Sequence, residues 1–261
     1  MAKDNIIQSV DRALKILEVL STRKEGYGVT ELSHILPLNK TSVYRMLSTL
    51  VLHGFVEQDL ETERYKLGYK VLELSSILLD SIDLRMEAKA YLKEVERLTN
   101  EVVHLVVYDR GEAVYIEKLE GNETLRMHSK VGSRAPMHCS GVGKVILAHL
   151  PEQEAVQIIE RYGMAAHTAH TITDRELLFD HLRMIRKKGY ALDLEENELG
   201  INCIAGPIFD HSGRVVAAVS ISGPTMRMTK ERIDQLKDGI IAVSKKISKR
   251  LGWRGDHIPQ Q

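Results

Sequence analysis

The segment from Asn39 to Leu67 constrains the fold more than any other stretch of the chain. Asn39 is a good N-cap for the run KTSVYRMLSTLVL, in which Val43, Leu47 and Leu50 repeat on one face, and Gly54 is placed to end the helix. A shorter helical run, 30–36, precedes it and is stopped by Pro37. An amphipathic helix at 9–23 comes first, with Val10, Ala13, Leu14, Leu17 and Leu20 at helical spacing as one apolar stripe. After Gly54, two strand-like runs at 55–58 and 64–67 surround an acidic turn and predict a hairpin. Three helices, the last two joined by a tight turn, followed by a hairpin are the order of a winged helix-turn-helix.

Such a module lays its third helix in the major groove with the N-terminal end nearest the bases. That end carries Lys40, Thr41, Ser42, Tyr44 and Arg45, all able to donate to phosphates or base edges. No acid occurs between Pro37 and Val56, so the patch is locally positive. Arg12 on the first helix, with Arg64 and Lys66 on the wing, are secondary phosphate candidates. Charge balance carries a rival reading. The first 68 residues hold nine Lys/Arg and nine Asp/Glu, which also suits a protein-interaction module with a solvated outer face.

The whole chain of 261 residues has 36 basic and 36 acidic side chains, so indiscriminate coating of nucleic acid is excluded and a local patch is required. That length suggests two domains. Apolar residues make up 43% of the chain, enough for real cores, yet no apolar run approaches the roughly 20 residues of a bilayer span. The charged start and two well-separated cysteines, Cys139 and Cys203, read as a cytoplasmic protein with reduced thiols and no membrane partner.

The runs SVDRALKILEVLS, ELSHILPLNKTSVYRMLSTLVLHGFVEQD and YKLGYKVLELS resemble the IclR family of bacterial transcriptional regulators, and the likeness continues over residues 9–252. Within the family, EVVHLVVYDRGEAVYIEKLEGNETLRMHSKVGSRAPMHCSGVGKVILA is similar to the KdgR-type regulators of sugar-acid and pectin-breakdown genes. The resemblance implies a repressor whose operator binding responds to a small carboxylate such as 2-keto-3-deoxygluconate. It also implies a dimer or tetramer on duplex DNA. An activator, or a regulator answering to another organic acid, stays open.

The expected organisation is α+β: a winged helix-turn-helix over 1–68, a linker helix over 69–84 and an effector-binding, GAF-like domain over 85–261. Leu67, Val71, Leu74 and Leu78 recur at heptad-like spacing, which fits either a core helix or pairing with a second copy. Two-fold operators favour the second copy. A further helix is expected over 85–100. Strand runs follow at 102–109, 113–120 and 124–132, and again at 201–209 and 214–222. Helices are expected at 140–150, from Pro151, at 174–188 and at 229–251.

Three segments of this second domain are candidates for a pocket. Ser140-Gly141-Val142-Gly143 opens a helix whose free amides suit an anion, though a tight turn alone also explains its glycines. Asp193 and Cys203 flank the acidic loop LEENELG. Ser220 and Ser222 are alternate residues on one sheet face. The family resemblance implies effector contacts at Gly141, Val142, Asp193, Cys203, Ser220 and Ser222. Arg126 is a further candidate to fork onto a carboxylate, or else an edge-strand surface charge.

No GxSxG, HExxH or CxxC occurs, and no activated thiolate can be read from His138-Cys139, so no enzyme and no cofactor are expected. His128, His138, Cys139, His167 and His170 are scattered through the second domain without ligand spacing. A metal-sensing regulator is the alternative they keep open.

Overall fold

The computed structural model describes residues 6–121 and 129–255, and the chain divides between Ile82 and Asp83 into two compact units. Unit one runs α1 (Gln8–Leu20), α2 (Val29–Ile35), α3 (Lys40–Leu52), β1 (Val56–Gln58), β2 (Tyr65–Leu67) and α4 (Tyr69–Ser81). It is a winged helix-turn-helix. The Asn39 side chain accepts from the Ser42 amide at 2.8 Å and so starts α3. Gly54, at φ +74°, turns the chain out of the helix, a conformation only glycine adopts without strain. The wing strands pair antiparallel, Val56 with Leu67 and Gln58 with Tyr65, around a turn in which Asp59 Oδ1 accepts from the amides of Glu61 and Thr62. Ile16, Leu20, Leu32, Val43, Leu47, Val56 and Tyr65 form the core.

Two sequence expectations fail here. The predicted single stripe of α1 is really two: Ile16 and Leu20 are buried, whereas Val10 and Leu14 are 51% and 56% exposed. Leu67 belongs to β2 rather than to the helix after it, so the predicted seam begins in a strand. The helix itself, α4, lies within the first unit and ends before Asp83.

Asp83 caps a fresh helix, α5 (Leu84–Thr99), by accepting from the amides of Arg85 and Met86. Unit two continues with β3 (Val102–Asp109), β4 (Glu112–Leu119), β5 (Arg134–Ala135), α6 (Gly141–Leu147), α7 (Glu152–Tyr162), α8 (Arg175–Lys188), β6 (Ala191–Leu194), β7 (Ile201–Phe209), β8 (Val215–Pro224) and α9 (Lys230–Arg250). Its strands form one antiparallel sheet in the order β5-β4-β3-β8-β7-β6, giving the expected α+β class. The two-residue β5 went unread in the sequence; most of the run expected at 124–132 lies outside the described residues, Arg126 and His128 included.

Strand alternation sorts this sheet into two faces. A Cβ added at Gly206 would meet Ser244 and Ile240 of α9, so that face is covered by α9. A Cβ at Gly141 would instead meet Cys203 and Ala205, so the opposite face is covered by α6. The polar candidates sit on this second face.

Candidate functional site: nucleic-acid interface and ligand pocket

On α3 the inward residues Val43 and Leu47 are fully buried, which turns Lys40, Thr41, Tyr44 and Arg45 outward while Ser42 is half-buried beside its cap. No carboxylate pairs with Lys40 or Arg45 among the described residues, so both keep their charge available for phosphate or base. Arg12 is exposed on α1. Lys66 lies opposite Glu57 in the wing at a loose 3.9 Å. Arg64 is engaged within the fold: it donates to Gly26 O at 2.9 Å and faces Glu31 at 3.3 Å, tying the wing to α2.

In the second unit, sheet register brings the candidates together. Asp193 pairs with Cys203, Cys203 with Ser222, and Ala205 with Ser220, so these side chains occupy adjoining rungs of one face. Gly141 lies over them; its missing Cβ would stand 3.0 Å from Cys203 Sγ and 3.8 Å from Asp193 Cβ. Asp193, Cys203, Ser220 and Ser222 are all buried. Val142 differs: its side chain joins the apolar core, leaving only its backbone to face a ligand. At the start of α6, Ser140 Oγ accepts from the Gly143 amide at 3.0 Å, while the amides of Gly141 and Val142 have no acceptor among the described residues.

Burial pushes Asp193 up to about 6; Lys144 and the amides of Asn197 and Glu196 pull the other way without cancelling it. The Cys203 thiol is pushed up to about 12 by burial and by Asp193, and Cys139 to about 12 by burial, Asp193 and Glu196. Both cysteines are therefore thiols at neutral pH, which removes the activated nucleophile an enzyme reading needs.

Four functional candidates went unread in the sequence. Lys144, with 0% exposure, forms a buried ion pair with Glu196, whose second oxygen, Oε2, is buried with no partner among the described residues. His104 is buried, held neutral with its ring lowered to about 3 by burial and by the nearby Lys118 charge. Its Nε2 bonds Ser129 Oγ at 2.8 Å and its Nδ1 stands 3.4 Å from Ser220 Oγ. Tyr115 stands edge-on to that ring, centroids 4.9 Å apart. A signal existed for two of them: Lys144 is the one charge in GVGKVILA, and His104 interrupts the apolar run VVHLVV. Glu196, one acid among several in its loop, had none.

An open cleft of about 1180 Å³ lies elsewhere on this unit, lined by Tyr108, His149, Pro151, Arg186 and Arg214 among others. None of the described effector candidates lines it. Its size alone gives it no claim on the chemistry, because its walls lack the converging buried polar groups that the α6 face presents.

Residues 9–60 match the IclR helix-turn-helix domain, and residues 77–249 match the family described as bacterial transcriptional regulator IclR C-terminal. The chain is 38% identical over 248 residues to the HTH-type transcriptional regulator XynR of Escherichia coli strain K12, spanning 95% of this chain and 98% of that protein. It is also 38% identical over 247 residues to the HTH-type transcriptional regulator KdgR of the same strain, 95% and 94% of the two chains. The crystal structure of Pseudomonas aeruginosa HmgR aligns with a TM-score of 0.83 at 27% identity, covering 95% of this chain and 100% of that one. The curated relatives regulate transcription and are not enzymes. With a DNA-reading winged helix and an α+β domain both matched along their lengths, the chain belongs to the IclR family of transcriptional regulators.

Proposed function

We propose that this regulator is a cytoplasmic repressor that binds a two-fold operator as a dimer or dimer of dimers and lets go when its second unit takes up a small hydroxylated carboxylate, a sugar acid such as 2-keto-3-deoxygluconate. The observation that carries this reading is the buried Glu196 Oε2, which has no partner among the described residues and belongs to the carboxylate paired with Lys144, next to Asp193. Buried acceptors without partners are rare, and a ligand hydroxyl would supply the missing donor. The amides of Gly141 and Val142 would receive the carboxylate. The sugar-acid class follows from the resemblance to KdgR-type regulators. Ligand can shift DNA binding only through its difference in affinity for the DNA-competent and incompetent arrangements.

Fluorescence anisotropy on labelled promoter fragments from the gene's neighbourhood tests the reading. Tight binding is expected, with log Kd linear in log salt and weakened by added 2-keto-3-deoxygluconate. Arg45→Ala should cost about 1–3 kcal/mol of operator binding if Arg45 reads a base, and a loss of a few tenths would remove it from that role. Binding indifferent to the sugar acid would discard the ligand class. No binding to any neighbouring fragment would favour the protein-interaction module.

A further inference from the structure

Directly before Ser140, the fold gathers three of the histidines and cysteines that look scattered in sequence. His138 and Cys139 precede α6 and are buried; His167 comes from the loop between α7 and α8 and is exposed. One ligand atom from each lies within 4.8 Å of the others. His170, from the same loop, is not in the group.

Three features separate this cluster from chance proximity. First, the His138 tautomer is fixed. Its Nε2 bonds the Ala165 carbonyl at 3.0 Å, and a carbonyl only accepts, so Nε2 carries the proton and Nδ1 is left with its lone pair. A ring nitrogen bound to a backbone carbonyl is the usual support of a metal-ligating histidine. Second, the loop bearing His167 is already pinned. Thr168 and Thr171 donate to the carbonyls of Glu195 and Glu196, each at 2.6 Å, and the His167 amide donates to Thr171 Oγ1 at 3.0 Å. Third, two carboxylates stand near: Asp193 and Glu196 both act on the Cys139 sulfur, opposed in part by the Lys144 ammonium, and the Asn197 side-chain oxygen lies 3.8 Å from it.

We propose that His138, Cys139 and His167 bind one borderline-soft divalent cation of the zinc class, with water in the fourth position. Two imidazoles and a sulfur select zinc or cobalt over magnesium and calcium, which require oxygen ligands. Tetrahedral bond lengths of about 2.0–2.3 Å place ligand atoms roughly 3.3–3.6 Å apart. Closing the cluster therefore requires about 1 Å of movement, and the exposed His167 ring is the member free to make it. On binding, the Cys139 sulfur forms the metal bond and its proton leaves to solvent. The ion would join the 163–173 loop to the residue directly before Ser140, and so brace the start of α6 over the pocket.

Cobalt titration of the full-length, tag-free, reduced protein tests this, followed by zinc competition. Expected are uptake of one cobalt per chain, a near-ultraviolet thiolate-to-cobalt absorption, and its loss when zinc is added. Cys139→Ser should abolish the absorption, His167→Ala should weaken zinc binding at least tenfold, and His170→Ala should match the wild type. Absence of saturable uptake overturns the site. So does an absorption that survives Cys139→Ser, which would put the metal at Cys203, or a His167→Ala protein with unchanged affinity. Should Cys139→Ser fail to fold by circular dichroism, His167→Ala decides alone, since that side chain is exposed and contributes nothing to the core.

Discussion

Asp193 is held between two pressures, burial that favours its neutral form and Lys144 with two backbone amides that favour its anion, and burial wins. Its folded value of about 6 lies above the ordinary 3.8, so between those two values the folded chain holds a proton that the unfolded chain has lost. Stability contributed at this site is accordingly greatest below about pH 4 and declines as pH rises to about 6. The full difference is about 3 kcal/mol. Asp193→Asn keeps an oxygen to accept the Glu196 and Asn197 amides yet cannot ionise, so its stability should be flatter from pH 4 to 7 and exceed the wild type's above pH 6.5. Denaturant midpoints of the two proteins across that range check it, and parallel curves would show that Asp193 does not titrate there. A carboxylate effector would meet the same charge: its affinity should fall as Asp193 ionises and stay level in the variant.

At the scale of elements, the glycines of α6 divide their labour. A Cβ at Gly143 would lie 2.5 Å from Met137 Cα and Pro136 O, backbone that cannot move aside, so Gly143→Ala should cost about 1–3 kcal/mol or more in thermal unfolding. A Cβ at Gly141 is tight only against the Cys203 side-chain sulfur, at 3.0 Å, with Ala205 and Asp193 at ordinary contact distance, so Gly141→Ala should fold, still bind operator and lose effector response. Equal stability of the two variants would contradict this division. The sequence made α3, its Asn39 cap and the wing readable because each rests on local chemistry: a side-chain cap, an acidic turn, a repeat of apolar residues. The pocket face was readable in part, since alternation puts Ser220 and Ser222 together, but the row joining them to Cys203 and Asp193 exists only through register between strands. The Lys144–Glu196 pair was out of reach, because one partner sits in a helix, the other in a loop, and no spacing links them. Helix α1 misled for another reason: periodicity identifies apolar faces but cannot say which one the core takes and which is left for something else.

That surplus face matters for the whole molecule. Val10 and Leu14 lie exposed along α1 with Ile7 at its N-cap, and Tyr69, Leu72, Leu74 and Ile77 lie exposed along α4. Leucines and isoleucines in rows on a regulator's DNA-reading unit are what a second copy would cover. Leu72→Glu and Leu14→Glu should each shift the protein toward monomer in light scattering and weaken operator binding roughly tenfold or more. Unchanged mass and affinity in both would show that pairing, if it occurs, uses another surface. The second unit's central pairing has a different consequence. In β3 and β8, residue 102 meets residue 222 and residue 107 meets residue 217, so the middle of the sheet waits for a strand near the end of the chain. Contacts that far apart in sequence form slowly, whereas the helices and short hairpin of the first unit need only their neighbours. On the ribosome the first unit can thus be finished while the second is still a disconnected set of strands. A translation product cut short before β8 would therefore carry a finished winged helix beside a sheet that lacks the strand joining β3 to β7.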